Sequence, residues 1–333
     1  MCLTHKLIQI WFTLFRFTPT DHLLLLTFHH ITFDGWSKGI LFRELVTLYA
    51  AFATGQPSPL PELPIQYTDF VVWHRQWMKG EVLEKQLSYW TKRLEAAPRL
   101  NLPTDYLRPE TRTFEGERLW ISLPETTSAA LLDLAEKQAV TPFIALLAAF
   151  AIQAAFLSGQ QDIVIGTHVA GRARPEVEGL IGFFINQLVL RNDLSGNPSF
   201  RDLLPRVQQV TLDAFEHQEI PFEKIVESMA VEQEPGAHPF FQVMFTFHNA
   251  PWTPVSIAGL TPHWVKFDDR LVRYDIEFDL WKGPRSIEGM FVYSTRLFSP
   301  ETARRMVAGY QRLLERLIAN PDAPWSELCT TGD

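Results

Sequence analysis

Residues 23–28 read LLLLTF, a short continuous apolar run of the kind expected for a strand buried on both faces. The run empties into His29-His30-Ile31-Thr32-Phe33-Asp34-Gly35. Helical spacing then takes over at Ile40, Leu41, Leu45, Leu48 and Phe52, with Ser37 placed to cap that helix and Gly55 just past its end. Residues 56–64 (QPSPLPELP) form a proline-rich connector that should run extended. Residues 66–94 read as one further helical stretch, whose Trp73, Trp77 and Trp90 are expected as core anchors rather than a ligand-stacking row. Past a second boundary at 97–109, a strand is expected at 119–123 and a helix at 126–139. Thr141-Pro142 supplies the N-cap and first-turn proline of an apolar helix reaching Leu157. Residues 162–169 read as a buried strand, 199–217 as an amphipathic helix and 241–247 as a strand. Residues 274–281 and 286–293 pair as a hairpin, and Ser299-Pro300 opens a last helix to Ala319. Strands and helices mix without a fixed period, so the fold class is mixed α/β, with lobes at 1–109 and 110–333.

Composition narrows the class. The 333 residues suit about two domains, and 46% hydrophobic with 20% charged residues excludes a disordered chain. Ten Trp and 25 Phe are enough to fill more than one core. Lys and Arg number 30 against 38 Asp and Glu, a net charge of −8, so there is no electrostatic footprint for nucleic acid. Only Cys2 and Cys329 occur, which excludes a disulfide framework and a cysteine zinc site and fits a cytoplasmic protein. No apolar run reaches 18 residues, so no membrane span is expected. The stretch 7–17 (LIQIWFTLFRF) carries Gln9, Thr13 and Arg16 and lacks a small-residue cleavage site, and it reads as a strand rather than a secretion signal.

The histidine loop carries the chemistry. Neighbouring side chains on an extended backbone point to opposite faces, so His29 and His30 cannot share one role. Asp34 could orient the loop or an imidazole, and Gly35 permits backbone angles or close approaches that a side chain would forbid. Neutral imidazole suits proton transfer near neutral pH. A metal site would need further ligands, and none is expected. Spacing alone leaves the pair open to a structural reading.

The wider pattern is more specific. HHITFDGWSKGILFREL resembles the HHxxxDG motif of condensation domains from nonribosomal peptide synthetases. The resemblance continues through YTDFVVWHRQWMKGEVLEKQLSYW, GTHVAGRARPEVEGLIGFFINQLVLR, HQEIPFEKIVESM and HPFFQVMFTFHNAP, in the family's order. It implies two chloramphenicol-acetyltransferase-like lobes in a V, with the motif at their junction. It also implies substrates delivered as thioesters on the phosphopantetheine arms of donor and acceptor peptidyl carrier proteins, with no cofactor bound directly. Adjacent adenylation domains or synthetase modules are the implied neighbours. By the same resemblance His30 is the catalytic histidine, acting as a base or by positioning the amine and stabilising charge. Asp34 is the motif's structural aspartate, which in this superfamily pairs with a distant arginine; Arg172 is the first candidate and Arg174 the second. Gly35 matches the motif glycine, whose N–H could face the reacting carbonyl. Asn186, in GFFINQ, matches a block near the tunnel and could equally be structural.

The histidines argue against a heterocyclisation domain, and no Glu-Gly-His-Gly-Arg run marks an epimerisation domain. The continuation FDGWSKGIL looks like domains joining an L-configured donor to an L-configured acceptor. The family's opening motifs are absent before the histidines, so an incomplete first lobe, labile and prone to association, is expected. The late motif, Gln233 to Phe240 here, keeps only its proline. No carrier attachment site or adenylation motif occurs. Two alternatives stand beside condensation: a non-catalytic partial domain that docks carriers, and an acyltransferase acting on a free amine or alcohol.

Overall fold

The computed structural model describes residues 10–230, 236–248, 257, 259–263, 265 and 270–329. Cys2, residues 7–9 of the first expected strand, and Gln233 to Pro235 of the late motif lie outside them. In chain order the elements are β1 (Ile10–Arg16), β2 (His22–Phe28), α1 (Gly35–Ala53), α2 (Tyr67–Trp77), α3 (Gly80–Leu94), β3 (Gly116–Ser122), α4 (Glu125–Lys137), α5 (Pro142–Ser158) and β4 (Asp162–Val169). They continue with α6 (Pro175–Glu178), β5 (Asn186–Asp193), α7 (Phe200–Glu216), α8 (Phe222–Met229), β6 (Val243–His248), β7 (Ile276–Lys282), β8 (Ile287–Ser294), α9 (Pro300–Ala319) and α10 (Trp325–Leu328).

Two compact units result, and neither is one continuous stretch of chain. Described residues of Met1–Met78, Ala170–Ile185 and Ala250–Lys266 make the first; those of Lys79–Val169, Asn186–Asn249 and Phe267–Asp333 make the second. In the first unit β1 and β2 form an antiparallel two-stranded ladder from Ile10↔Phe28 to Arg16↔His22. Every residue of β1 is exposed, and so are Leu24 and Leu25. That corrects the expectation of a strand buried on both faces. The LLLLTF run pairs with β1 along one edge, and no residue of β2 is fully buried.

The second unit carries a six-stranded sheet in the order β3-β8-β7-β6-β4-β5. Strands β4, β6 and β7 are parallel neighbours, and the other pairings are antiparallel. Helix α5 is apolar all round because it is the core: Ile144 to Ala155 are all buried. Phe150 sets its ring against Phe245 and Phe278 of the sheet, and the Tyr310 hydroxyl of α9 donates to Leu146 O at 3.0 Å. Buried ring area of this kind dominates core energetics. Gly166 lies mid-strand in β4 because the Phe241 ring occupies its Cβ position, 2.3 Å from an ideal Cβ.

Three further expectations are corrected. The stretch 66–94 is two helices: α2 ends at Trp77, Met78 and Lys79 lie outside both helices, and Gly80 at φ +53 breaks the right-handed path between them. Asp34, not Ser37, caps α1: its Oδ1 accepts from Ser37 N at 2.8 Å, which puts Ser37 inside the first turn. Trp90 is a buried anchor whose Nε1 donates to His217 O at 3.0 Å. Trp73 and Trp77 are not buried; they stack on one another 5.4 Å apart. Strand β5 and helix α8 were not predicted. Among the described residues no single helix is long and apolar enough to cross a membrane.

Candidate active site

The chain leaves β2 at Phe28 and enters a single 3₁₀ turn, His30–Thr32, before α1. His29 caps that turn: Ile31 N donates to His29 Nδ1 at 3.2 Å. An amide N–H can only donate, so His29 Nδ1 carries no proton. His30 Nδ1 lies 2.7 Å from Phe33 O. A carbonyl can only accept, so His30 Nδ1 carries the proton and neutral His30 keeps its lone pair on Nε2. Both imidazoles are exposed. The two neighbours therefore differ in tautomer as well as in role. Gly35 opens α1 at an ordinary φ, and a Cβ there would meet nothing within 4 Å. The close approach expected of Gly35 is thus not made within the chain.

Asp34 is the centre of a buried polar network. Its carboxylate and the Arg172 guanidinium, with side chains 2% and 1% exposed, meet at 3.1 and 3.3 Å. Arg172 Nη2 also donates to Ser37 Oγ at 3.0 Å, and Nη1 donates to the carbonyls of Val177 and Leu180 at 2.7 and 2.8 Å. Its guanidinium covers the Phe184 ring at 4.0 Å. Burial pulls the Arg172 pKa down while Asp34 pushes it back up. A buried ion pair with this many further hydrogen bonds offsets its desolvation; stripped of one partner it would not. Segment 170–185 is thereby tied to the start of α1. Gly171, at φ +65, allows Phe184 O to sit where a Cβ would be.

Arg174, the second candidate partner of Asp34, lies instead over the Trp73 ring at 4.4 Å and the Trp77 ring at 5.9 Å. Asn186 belongs to the second unit. Its Nδ2 donates to Gln218 O and Ile220 O at 2.8 and 2.7 Å, and its Oδ1 accepts from Phe222 N at 3.2 Å, tying β5 to the start of α8. Sequence reasoning passed over Trp36, Tyr67 and Phe183. Trp36 Nε1 donates to Glu178 O at 3.0 Å, and the Tyr67 hydroxyl donates to Phe183 O at 2.8 Å. The Phe183 ring stands edge-on to His30, with centroids 5.2 Å apart. Tyr67 and Phe183 both sit in blocks with a visible pattern, but nothing local marks what they touch. Among the described residues no three His, Cys, Asp or Glu side chains cluster to hold a metal ion.

The Condensation domain family model matches residues 4–333. One chain of the linear gramicidin synthase of Brevibacillus parabrevis is 42% identical over 313 residues, 93% of this chain and 6% of that protein. Malpinin synthetase of Mortierella alpina is 41% identical over 302 residues, 90% of this chain and 4% of its own. The chain thus spans a small fraction of the curated relatives it matches. Among solved structures, the X-domain from teicoplanin biosynthesis superposes with a TM-score of 0.90 at 25% identity, covering 99% of this chain and 76% of that one. The mixed α/β architecture is therefore the chloramphenicol-acetyltransferase-like fold of condensation domains, and with the family match running through nearly the whole sequence, the chain belongs to the condensation-domain family.

Proposed function

We propose that this chain forms an amide bond between two substrates held as thioesters on carrier proteins, with His30 at the reacting amine. The acceptor amine nitrogen attacks the donor thioester carbonyl, a C–N bond forms, and collapse of the tetrahedral intermediate breaks the C–S bond. The departing sulfur remains on the donor's phosphopantetheine arm, and the product stays on the acceptor's. His30 Nε2 accepts the amine N–H, either taking its proton or holding the amine while charge develops; the proton lost from nitrogen ends on the departing thiolate. The observation carrying this reading is the Nδ1–H tautomer imposed by Phe33 O, which leaves Nε2 free to accept within a family motif. The chain's relatives among synthetases support the substrate class. Donor and acceptor peptidyl carrier proteins are then its partners, with an adenylation domain adjacent and the phosphopantetheine arms arriving with the substrates. A cytoplasmic setting is supported by the sparse cysteines. With two loaded carriers, His30→Ala should abolish product; near-normal turnover would refute the assignment.

A docking module without catalysis is the second reading. One observation favours it: the X-domain from teicoplanin biosynthesis, 26% identical with a TM-score of 0.87, is solved in complex with OxyB. Capture of a carrier protein without product in the same assay would select this reading, and product would reject it.

A further inference from the structure

Three consecutive backbone positions in segment 170–185 are each gripped by a different side chain of the first unit. Gly182 N donates to Ser37 Oγ at 3.0 Å, and Gly182 O accepts from the same hydroxyl at 2.9 Å. Phe183 O accepts from the Tyr67 hydroxyl at 2.8 Å. Phe184 N donates to Asp34 Oδ2 at 3.0 Å. The Tyr67 ring also fills the Cβ position of Gly182, at 2.3 Å, so the segment seats directly on it. Burial raises the Tyr67 pKa, which keeps the phenol protonated and donating.

The flanking residues Gly182 and Phe184 are buried, with the Phe184 ring under the Arg172 guanidinium. Phe183 is different. The residue is 37% exposed, and its ring stands at 89° to the His30 imidazole. An edge-to-face arrangement is the geometry aromatic rings prefer, and it limits rotation of the smaller ring. Among the described residues the His30 imidazole is otherwise held through Nδ1, by a hydrogen bond within its own turn, and His30 is exposed. Three grips on a segment whose middle side chain meets that imidazole are what fixing the imidazole requires.

We propose that Phe183 is a positioning residue for the His30 imidazole and that Tyr67 in turn fixes Phe183. This rests on the assignment of His30 to the reacting amine. Holding a reacting group in one geometry supplies a large part of catalysis, and misplacement by about 1 Å can cost about 10²-fold.

The test uses the full chain with ¹⁵N-histidine and the variants Phe183→Leu, Phe183→Tyr and Tyr67→Phe. The His30 ring nitrogens report the tautomer, and the two-carrier assay reports turnover. Phe183→Leu should move His30 from the Nδ1–H form toward a mixture of tautomers. It should also lower kcat by about 10- to 100-fold with KM changed less than about twofold. Phe183→Tyr should keep both near the wild-type values, and Tyr67→Phe should give intermediate ones. If Phe183→Leu unfolds, Tyr67→Phe, which removes a single oxygen, carries the test. Wild-type His30 signals in folded Phe183→Leu, or in Tyr67→Phe where that variant carries the test, would overturn the proposal. Should the wild-type chain form no product while the His30 signals shift as expected, positioning stands and the assignment of His30 to the reaction fails.

Discussion

His29 and His30 adjoin in sequence, yet the groups they meet fix opposite protons: an amide donor on one Nδ1 and a carbonyl acceptor on the other. Asparagine offers a carbonyl oxygen able to take over the His29 cap, whereas phenylalanine offers none. His29→Phe should therefore cost about 1 kcal/mol and His29→Asn far less, read by denaturant melts of the two variants. Asp34 makes a sharper case. Asp34→Asn leaves the buried Arg172 cation facing a neutral amide, and breaking such a pair costs about 3–5 kcal/mol. Hydrogen exchange should show segment 170–185 opening while α5 and the central strands of the second unit stay protected. An Asp34→Asn chain with unchanged melting and lost turnover would instead put Asp34 in the chemistry.

At the scale of elements, His238 gives the second unit a pH dependence. It packs among Phe222, Phe241 and Tyr274, with ring centroids 5.5, 4.4 and 4.9 Å away, and its Nδ1 meets Pro239 O at 2.8 Å. Burial first, then the neighbouring Arg112 and His168, draws its pKa from 6.5 down to about 4 against the lift from backbone hydrogen bonds. A depressed folded value means the unfolded chain binds the proton more tightly. Stability is intact above pH 6.5, falls as pH drops below it, and levels off below about 4, a loss on the order of 3 kcal/mol. Comparing urea midpoints of wild type and His238→Phe at pH 7 and pH 4.5 isolates this contribution, and the variant should show the shallower slope. Helices α5 and α9 were legible because Thr141-Pro142 and Ser299-Pro300 state their starts, while a nearly unbroken apolar run carries α5 to its end and helical periodicity carries α9. Strand β5 was not, since NQLVLRND becomes a strand through its pairing with β4. The histidine loop was legible because its residues are contiguous. Of its surroundings, Arg172 was reached only through the family resemblance and Phe184 not at all: they meet Asp34 from 138 and 150 positions away, and no local pattern spans that distance. Trp73 and Trp77 misled for the same reason, their partner Arg174 lying outside any helical period.

For the whole molecule the most consequential surface is the β1–β2 ladder, which is apolar on both faces. Phe12 and Leu14 are 62% and 65% exposed, and Trp11 and Leu25 are 48% exposed. A ladder of this kind favours association through its apolar faces. The chain alone in solution should self-associate with rising concentration, and Phe12→Ser with Leu25→Ser should reduce it, as sedimentation velocity would show. A monodisperse wild-type chain at high concentration would contradict this.

The grip of Arg172 on Asp34 also has a history in time. Ribosomal synthesis runs N to C at about 5–20 residues per second, so the 138-residue gap takes roughly 7–28 s to translate. Throughout that interval the carboxylate at the head of α1 is solvated by water in place of Arg172, and Tyr67 has no segment to seat. The nascent first unit must therefore wait, half-formed, for sequence not yet made, and an RNA feature that slows translation between the codons for Asp34 and Arg172 would lengthen the window in which chaperones or proteases compete for it.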